Sequence, residues 1–275
     1  MDKVILLVAD GLSYLTAVEQ CGYLESLVAG GKARRWKMQG VLPTLSAPVY
    51  ETLHTWLEPH EHGITANDNL RASNRSHVFG LARDAGKTTG AVANFYFSVL
   101  YNGDPWVPMR DMEVDDDARV IQHARFHTDT GYTKFNLSIP SDADLTTQVS
   151  IMIDRHAPDY ILYHNCSCDS VGHAYGSQSP EYKKTAWKVD NQLAQHVDFW
   201  RENGYRILVT ADHGFTDFGH HGGTTDDVRD VPFYDIGHPN PGIAEEVADQ
   251  LAVAPTILSR MGVEIPPVMK AAPLA

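Results

Sequence analysis

Cysteine is scarce in this chain: Cys21, Cys166 and Cys168 are the only three in 275 residues. Three thiols cannot build a disulfide framework, and Cys166-Ser167-Cys168 is too tight for a relaxed bridge, so reduced thiols and a cytoplasmic location are expected. Basic side chains are also few, 22 against 35 acidic ones for a net charge of −13. That balance lacks the cationic footprint needed to coat a nucleic-acid polymer and disfavours docking on anionic lipid. Long apolar runs are missing too. No stretch reaches the roughly 18 to 20 residues that span a bilayer, and Val4–Val8 is too short to be a signal peptide and lacks its basic start and cleavage site. The expected partner is therefore a small soluble molecule rather than a polymer or a membrane.

What the chain does have is a sizeable apolar fraction, 43%, enough for one large core at this length. Val4–Ala9 is wholly apolar, as a strand buried on both faces of a parallel sheet should be, and it ends at Asp10-Gly11. Apolar residues then recur at helical spacing from Leu15 to Val28, and Gly30-Gly31 stops that helix. Further strands are expected at Trp36–Leu42, Thr88–Phe97, Asp159–His164 and Arg206–Ala211. Helices are expected from Ser46, acting as a cap, to about Leu57, at Ser76–Asp84 and at Pro180–Glu202, with one or two helical turns in Ala244–Met261 broken by Pro255. This alternation predicts an α/β fold, a doubly wound, mostly parallel central sheet with helices on both faces. One domain over 1–275 is expected. The segment from about Tyr101 to Leu145 has no clean period and reads as a small cap or insertion.

There are 14 histidines, and their positions carry the chemistry. Ligand sites in open α/β sheets lie beyond the C-terminal ends of the strands. Three predicted strands lead there into metal-ligand residues: the first into Asp10, another into Asp169-Ser-Val-Gly-His173, and a third into Asp212-His213 followed by Gly219-His220-His221-Gly222-Gly223. Any one of these motifs alone is more often a cap or a turn. Together at one sheet edge, so many donors would repel one another and lose hydration without a cation, and Asp and His suit Zn²⁺.

The ordered series V-A-D-G, P-T-L-S-A-P, H-G-I-T-A-N, D-S-V-G-H, A-D-H-G and H-G-G resembles the alkaline phosphatase superfamily, and within it the type I phosphodiesterase/nucleotide pyrophosphatase family. The resemblance runs from Val4 to about Val263. It implies an alkaline-phosphatase-like fold and two Zn²⁺ ions, one held by Asp169, His173 and His221, the other by Asp10, Asp212, His213 and the nucleophile; Mn²⁺ can occupy similar sites. The nucleophile falls on Ser46, with Thr44 as the competing hydroxyl, and Asn67 matches the residue that holds a phosphoryl oxygen. His220 competes with His221 for one ligand place. The implied activity is a metal-dependent phosphodiesterase or nucleotide pyrophosphatase acting on a small phosphate ester or anhydride through a phosphoserine. The alternatives are a phosphomonoesterase or a phosphoryl or phosphoethanolamine transferase.

The nucleophile loop holds no basic residue to meet the extra charge of a monoester; Arg71 and Arg75 are the nearest in sequence. The family's aromatic-Pro-Asn after the nucleophile is here Ala47-Pro48-Val49, which puts a base-stacking pocket in question. Phe95, Tyr96, Tyr101 and Trp106 are candidates to line a pocket, although core packing is the commoner role of such residues.

Overall fold

The computed structural model describes residues 2–275. Its strands are β1 (Lys3–Ala9), β2 (Ala33–Gln39), β3 (Thr89–Asn94), β4 (Glu113–Asp115), β5 (His123–His127), β6 (Thr130–Thr133), β7 (Asn136–Ser138), β8 (Tyr160–Asn165), β9 (Tyr205–Thr210), β10 (Asp230–Ile236), β11 (Gly242–Ile243) and β12 (Ala248–Asp249). All but β6 and β7 belong to one sheet, ordered β11-β2-β10-β9-β1-β8-β3-β5-β4, with β12 also paired to β2. The five central strands from β9 to β5 run parallel, and β4 and β10 run against their neighbours. Val4 to Ala9 are fully buried at the centre of a sheet that carries helices on both faces. The helices Tyr14–Gln20, Gly22–Ala29, Asp142–His156 and Pro180–Glu202 pack on one side, and Ser46–Thr55, Val78–Asp84 and Val253–Met261 on the other. No helix among the described residues is long and apolar enough to cross a membrane.

Four local readings change. The helix expected over Leu15–Val28 is two helices, broken at Cys21. Asp190, from the distant Pro180–Glu202 helix, accepts the backbone N–H groups of Tyr23 at 2.7 Å and Leu24 at 3.0 Å and so starts the second helix there, an N-terminal cap supplied through space. Pro255 does not break its helix. It lies in the first turn of Val253–Met261, where a missing N–H is tolerated. The strand expected to run on to Phe97 stops at Asn94, and Tyr96–Tyr101 turns helical. Ser46 is the first helical residue rather than the cap; Leu45 occupies the cap position in extended conformation and makes no side-chain bond there, so the serine hydroxyl is not spent on capping.

The stretch from about Tyr101 to Leu145 divides. Strands β4 and β5 extend the main sheet beside β3, and the hairpin β6–β7 leaves it to pack against the helix Ser167–Tyr175. The sequence pattern of β5 is weak because its stability comes from parallel pairing with β3, from Gly90 opposite His123 to Asn94 opposite His127.

Gly172, in the helix Ser167–Tyr175, lets Phe215 lie flat against it; a Cβ there would stand 2.6 Å from the Phe215 ring. We expect Gly172→Ala to cost about 1–3 kcal/mol through overpacking, measurable as a lower midpoint in urea denaturation.

Candidate active site

The parallel register brings three strand ends level. Val8 of β1 lies opposite His164 of β8 and Thr210 of β9, so the residues that follow, Asp10, Asp169 and Asp212-His213, emerge at one edge. The Ser46–Thr55 helix starts there as well, and Ser46 Oγ lies 3.4 Å from His213 Nε2. That nitrogen is the hub of the site, 3.2 Å from Asp212 Oδ2, 3.5 Å from Asp10 Oδ1 and 3.9 Å from Asp169 Oδ1. On the other side of Asp169, its Oδ1 is 3.5 Å from His173 Nε2 and 3.8 Å from His221 Nε2, and the two imidazole nitrogens are 3.2 Å apart.

Each of the three histidines has its Nδ1 at a backbone carbonyl: His213 at Gly214 (3.1 Å), His173 at Gly219 (3.2 Å) and His221 at Thr44 (2.9 Å). Donation from Nδ1–H in each case leaves Nε2 as a bare lone pair facing the site, the arrangement by which backbone carbonyls orient metal-binding histidines. The carboxylates are similarly one-sided. Asp212 Oδ1 accepts the N–H groups of Gly11 (3.0 Å) and His213 (2.9 Å), and Asp10 Oδ2 accepts the Tyr50 hydroxyl with His164 Nε2 at 3.1 Å. Their other oxygens, Asp212 Oδ2 and Asp10 Oδ1, are buried without any hydrogen-bond partner, as is Asp169 Oδ1. Three orphaned carboxylate oxygens aimed at bare imidazole nitrogens are costly in a dry site. A dication is the ligand that matches this donor set.

Burial sets the proton affinities in the same sense. It pushes the Asp10 carboxyl up to about 7, despite the opposing hydrogen bonds from Tyr50 and Asp212. Burial, then the charge of Asp10, holds the carboxyls of Asp169 and Asp212 well above the usual carboxylate range. The three imidazoles are pushed down by burial first, His221 to about 4 and His213 well below the usual imidazole range, with His221 adding to the effect on His213. The side chains alone would hold the site as neutral acids and neutral bases.

The open alternatives separate on geometry. Thr44 Oγ1 accepts the N–H of Gly222 (2.9 Å) and donates to the carbonyl of Gly223 (3.1 Å), so it ties down the His221 loop while Ser46 faces the cluster. His220 is exposed, whereas His221 is half-buried with its Nε2 at the cluster. Asn67 Oδ1 accepts the Ala47 N–H at 2.9 Å, which leaves its amide N–H groups for the cleft it lines. Arg71 donates to the carbonyls of Gly63 and Asn69, and Arg75 to that of Glu61. Both guanidiniums are held away from the site. Phe95 and Tyr96 do line the cleft of about 400 Å³ above Ser46. Tyr101 is instead buried against Glu51, and Trp106 packs on Phe95 and Phe126.

Sequence reasoning missed four contributors. Tyr50 and His164 hold Asp10, Phe215 packs its ring against His173, His213 and His221 at 4.9, 5.6 and 5.1 Å, and Asp129 lines the cleft from just before the β6–β7 hairpin. His164 alone carried a signal, its place at the end of a buried strand.

Comparison with known proteins places the chain in a family and a fold. The type I phosphodiesterase/nucleotide pyrophosphatase family matches residues 4–232. The human GPI ethanolamine phosphate transferase 2, catalytic subunit, is 23% identical over 279 residues, covering 92% of this chain and 26% of that protein. A 2,3-bisphosphoglycerate-independent phosphoglycerate mutase from Natronomonas pharaonis is 31% identical over 135 residues, covering 47% of this chain and 26% of the mutase. The chain thus spans about a quarter of the length of these curated relatives. Among solved structures, murine ectonucleotide pyrophosphatase/phosphodiesterase 5 superposes with a TM-score of 0.74 at 11% identity, over 96% of each chain, and an inactive form of that protein has been solved in complex with AMP. The fold is that of these phosphodiesterases, and the chain belongs to the type I phosphodiesterase/nucleotide pyrophosphatase family of the alkaline phosphatase superfamily.

Proposed function

We propose that this chain is a metal-dependent phosphodiesterase that works through a phosphoserine at Ser46. The observation that carries the reading is the convergence of three partnerless carboxylate oxygens on His213 Nε2, 3.4 Å from the Ser46 hydroxyl. Asp169, His173 and His221 would hold one cation and Asp10, Asp212 and His213 the other, with Ser46 beside the second. Zn²⁺ suits the nitrogen-rich donor set and Mn²⁺ is the alternative. When bound, such cations supply Lewis-acid charge that lowers the pKa of the serine hydroxyl and neutralises phosphoryl oxygens.

Ser46 Oγ, freed from capping duty, attacks phosphorus in line. The new Oγ–P bond forms as the bond to the departing alcohol breaks, and water then cleaves the phosphoserine to restore the hydroxyl. Asn67, oriented by the Ala47 N–H, donates its amide to a phosphoryl oxygen. The cleft lining includes no Lys or Arg among the described residues, which favours the singly charged phosphoryl group of a diester over a monoester. A transferase relative such as the human protein supports a variant in which an alcohol replaces water as acceptor.

The test is hydrolysis of bis-p-nitrophenyl phosphate against p-nitrophenyl phosphate by metal-stripped protein with Zn²⁺ or Mn²⁺ restored. Metal-dependent diester turnover is expected; a uniform preference for the monoester would sink the diester reading. Tyr50 supplies a second check. Its hydroxyl holds Asp10 Oδ2, so Tyr50→Phe should loosen metal about 10- to 100-fold in a chelator competition, and raising free metal should restore turnover.

A further inference from the structure

We propose a separate Zn²⁺ site formed by Asp115, His123 and His156, at the end of the strands opposite Ser46. Asp115 on β4 and His123 on β5 are a directly opposed antiparallel pair, which sets their side chains next to each other on one face of the sheet. His156, the last residue of the Asp142–His156 helix, comes down on that pair. Its ring stacks on that of His123, with centroids 4.0 Å apart and planes at 16°. His123 begins β5. His127 ends it about 13 Å further along the strand, and there packs on His164, the residue beside Asp10. A full strand length therefore separates this cluster from the one beside Ser46.

The separations fit one ion. His123 Nδ1 is 3.1 Å and His156 Nε2 is 3.4 Å from the same carboxylate oxygen, Asp115 Oδ1, and the three donor atoms lie within 4.8 Å of one another. Donors about 2.1 Å from a tetrahedral zinc stand about 3.4 Å apart, whereas 3.4 Å is long for an N–H···O bond. Asp115 Oδ2 accepts Arg125 Nη2 at 2.8 Å, which orients the carboxylate and turns Oδ1 to the imidazoles. Glu113 shares that guanidinium at 3.2 Å, so two carboxylates face it and the site is not cationic on its account. The carbonyl end of the 15-residue helix that closes at His156 adds negative partial charge. Two imidazole nitrogens with one carboxylate oxygen suit Zn²⁺ rather than Ca²⁺ or Mg²⁺. A cavity of about 260 Å³ bordered by His156, Glu113 and Arg155 gives the ion access and leaves room for water as a fourth ligand. The ion would tie the three-residue edge strand β4 to the helix. Three donors at a partly exposed site hold metal less tightly than a buried cluster, so this site fills at higher free Zn²⁺ than the one beside Ser46.

The test titrates the full chain with Zn²⁺ alone and reads labelling by diethylpyrocarbonate through peptide mass spectrometry. A ligated imidazole has one nitrogen on the ion and a proton on the other, so neither reacts. At free Zn²⁺ about ten times Kd, labelling of His123 and His156 should slow by about 10-fold, and both should follow one titration curve. His156→Gln should strip the protection from His123 at the same zinc concentration, and Asp115→Asn should shift both curves to higher zinc. The His156 side chain is 25% exposed, so glutamine is accommodated without repacking. Labelling insensitive to zinc, separate curves for the two histidines, protection of His123 that survives His156→Gln, or curves unmoved by Asp115→Asn would overturn the site. The readout belongs to these two histidines and is the same whether or not the Ser46 cleft turns over a diester.

Discussion

Ser46→Ala is expected to lower kcat/KM on bis-p-nitrophenyl phosphate by at least about 10³-fold, the scale on which removing a covalent nucleophile acts. Stability should hardly change. The Ser46 hydroxyl caps nothing, its hydrogen bond is to His213, and Ala is a better helix former at that position. The competing hydroxyl gives the opposite pattern. Thr44→Ala removes the two bonds that fasten Gly222 and Gly223, so it should loosen the His221 loop and weaken metal binding, with turnover recovered at higher metal concentration. Steady-state kinetics with acid-quenched mass spectrometry would decide, since a phosphoryl adduct should appear on Ser46. Full activity in Ser46→Ala together with loss in Thr44→Ala at saturating metal would move the nucleophile to Thr44.

Removing metal is expected to abolish turnover, and its effect on stability should depend on pH in a defined direction. The Asp10 carboxyl is raised from 3.8 to about 7 in the folded protein, so between those values the folded metal-free chain binds more protons than the unfolded one. Stability from that group is fully present below about pH 4 and is lost as pH rises through 7. Asp169 and Asp212 act in the same sense. The lowered imidazoles oppose them on the acid side: stability from His221 is present above 6.5 and is lost as pH falls toward about 4. A cation must displace the carboxyl protons and compete for neutral imidazoles, so it binds better as pH rises. The gain in Tm on adding Zn²⁺ should therefore be small at pH 5 and grow through pH 7 to 8. At free metal about 100 times Kd it reaches about 2.7 kcal/mol, or about 5–10 °C. Differential scanning fluorimetry across that range checks it, and a gain that is flat or falls with pH would refute the linkage. Asp212→Asn should abolish the metal response, because it removes one of the carboxylates that would hold the cation.

The central strands were legible because burial on both faces demands uninterrupted apolar runs; Val4–Ala9 could hardly be anything else in an α/β chain. The candidate ligand residues were legible for a related reason. Asp10, Asp169 and the Asp212-His213 pair each follow such a strand, and parallel strands end at a common edge. Other features depended on partners distant in the chain. The break at Cys21 comes from Asp190, 169 positions further on, and the membership of β5 in the sheet comes from β3. Tyr50 gave no sign of its role because a tyrosine four residues into a helix is ordinarily core, and only the tertiary fold brings its hydroxyl to Asp10 and His164.

From sequence alone came the α/β class, the buried strands and the set of residues at their ends, since local apolar patterning and strand polarity are short-range properties of the chain. Only the tertiary structure decided which hydroxyl faces the donors, which of two adjacent histidines turns inward, and that a carboxylate at Asp129 shares the cleft with Ser46. Those outcomes depend on hydrogen bonds and charges that meet across loops separated by up to about 180 residues, and no local pattern encodes which of several chemically equivalent groups such a meeting will select.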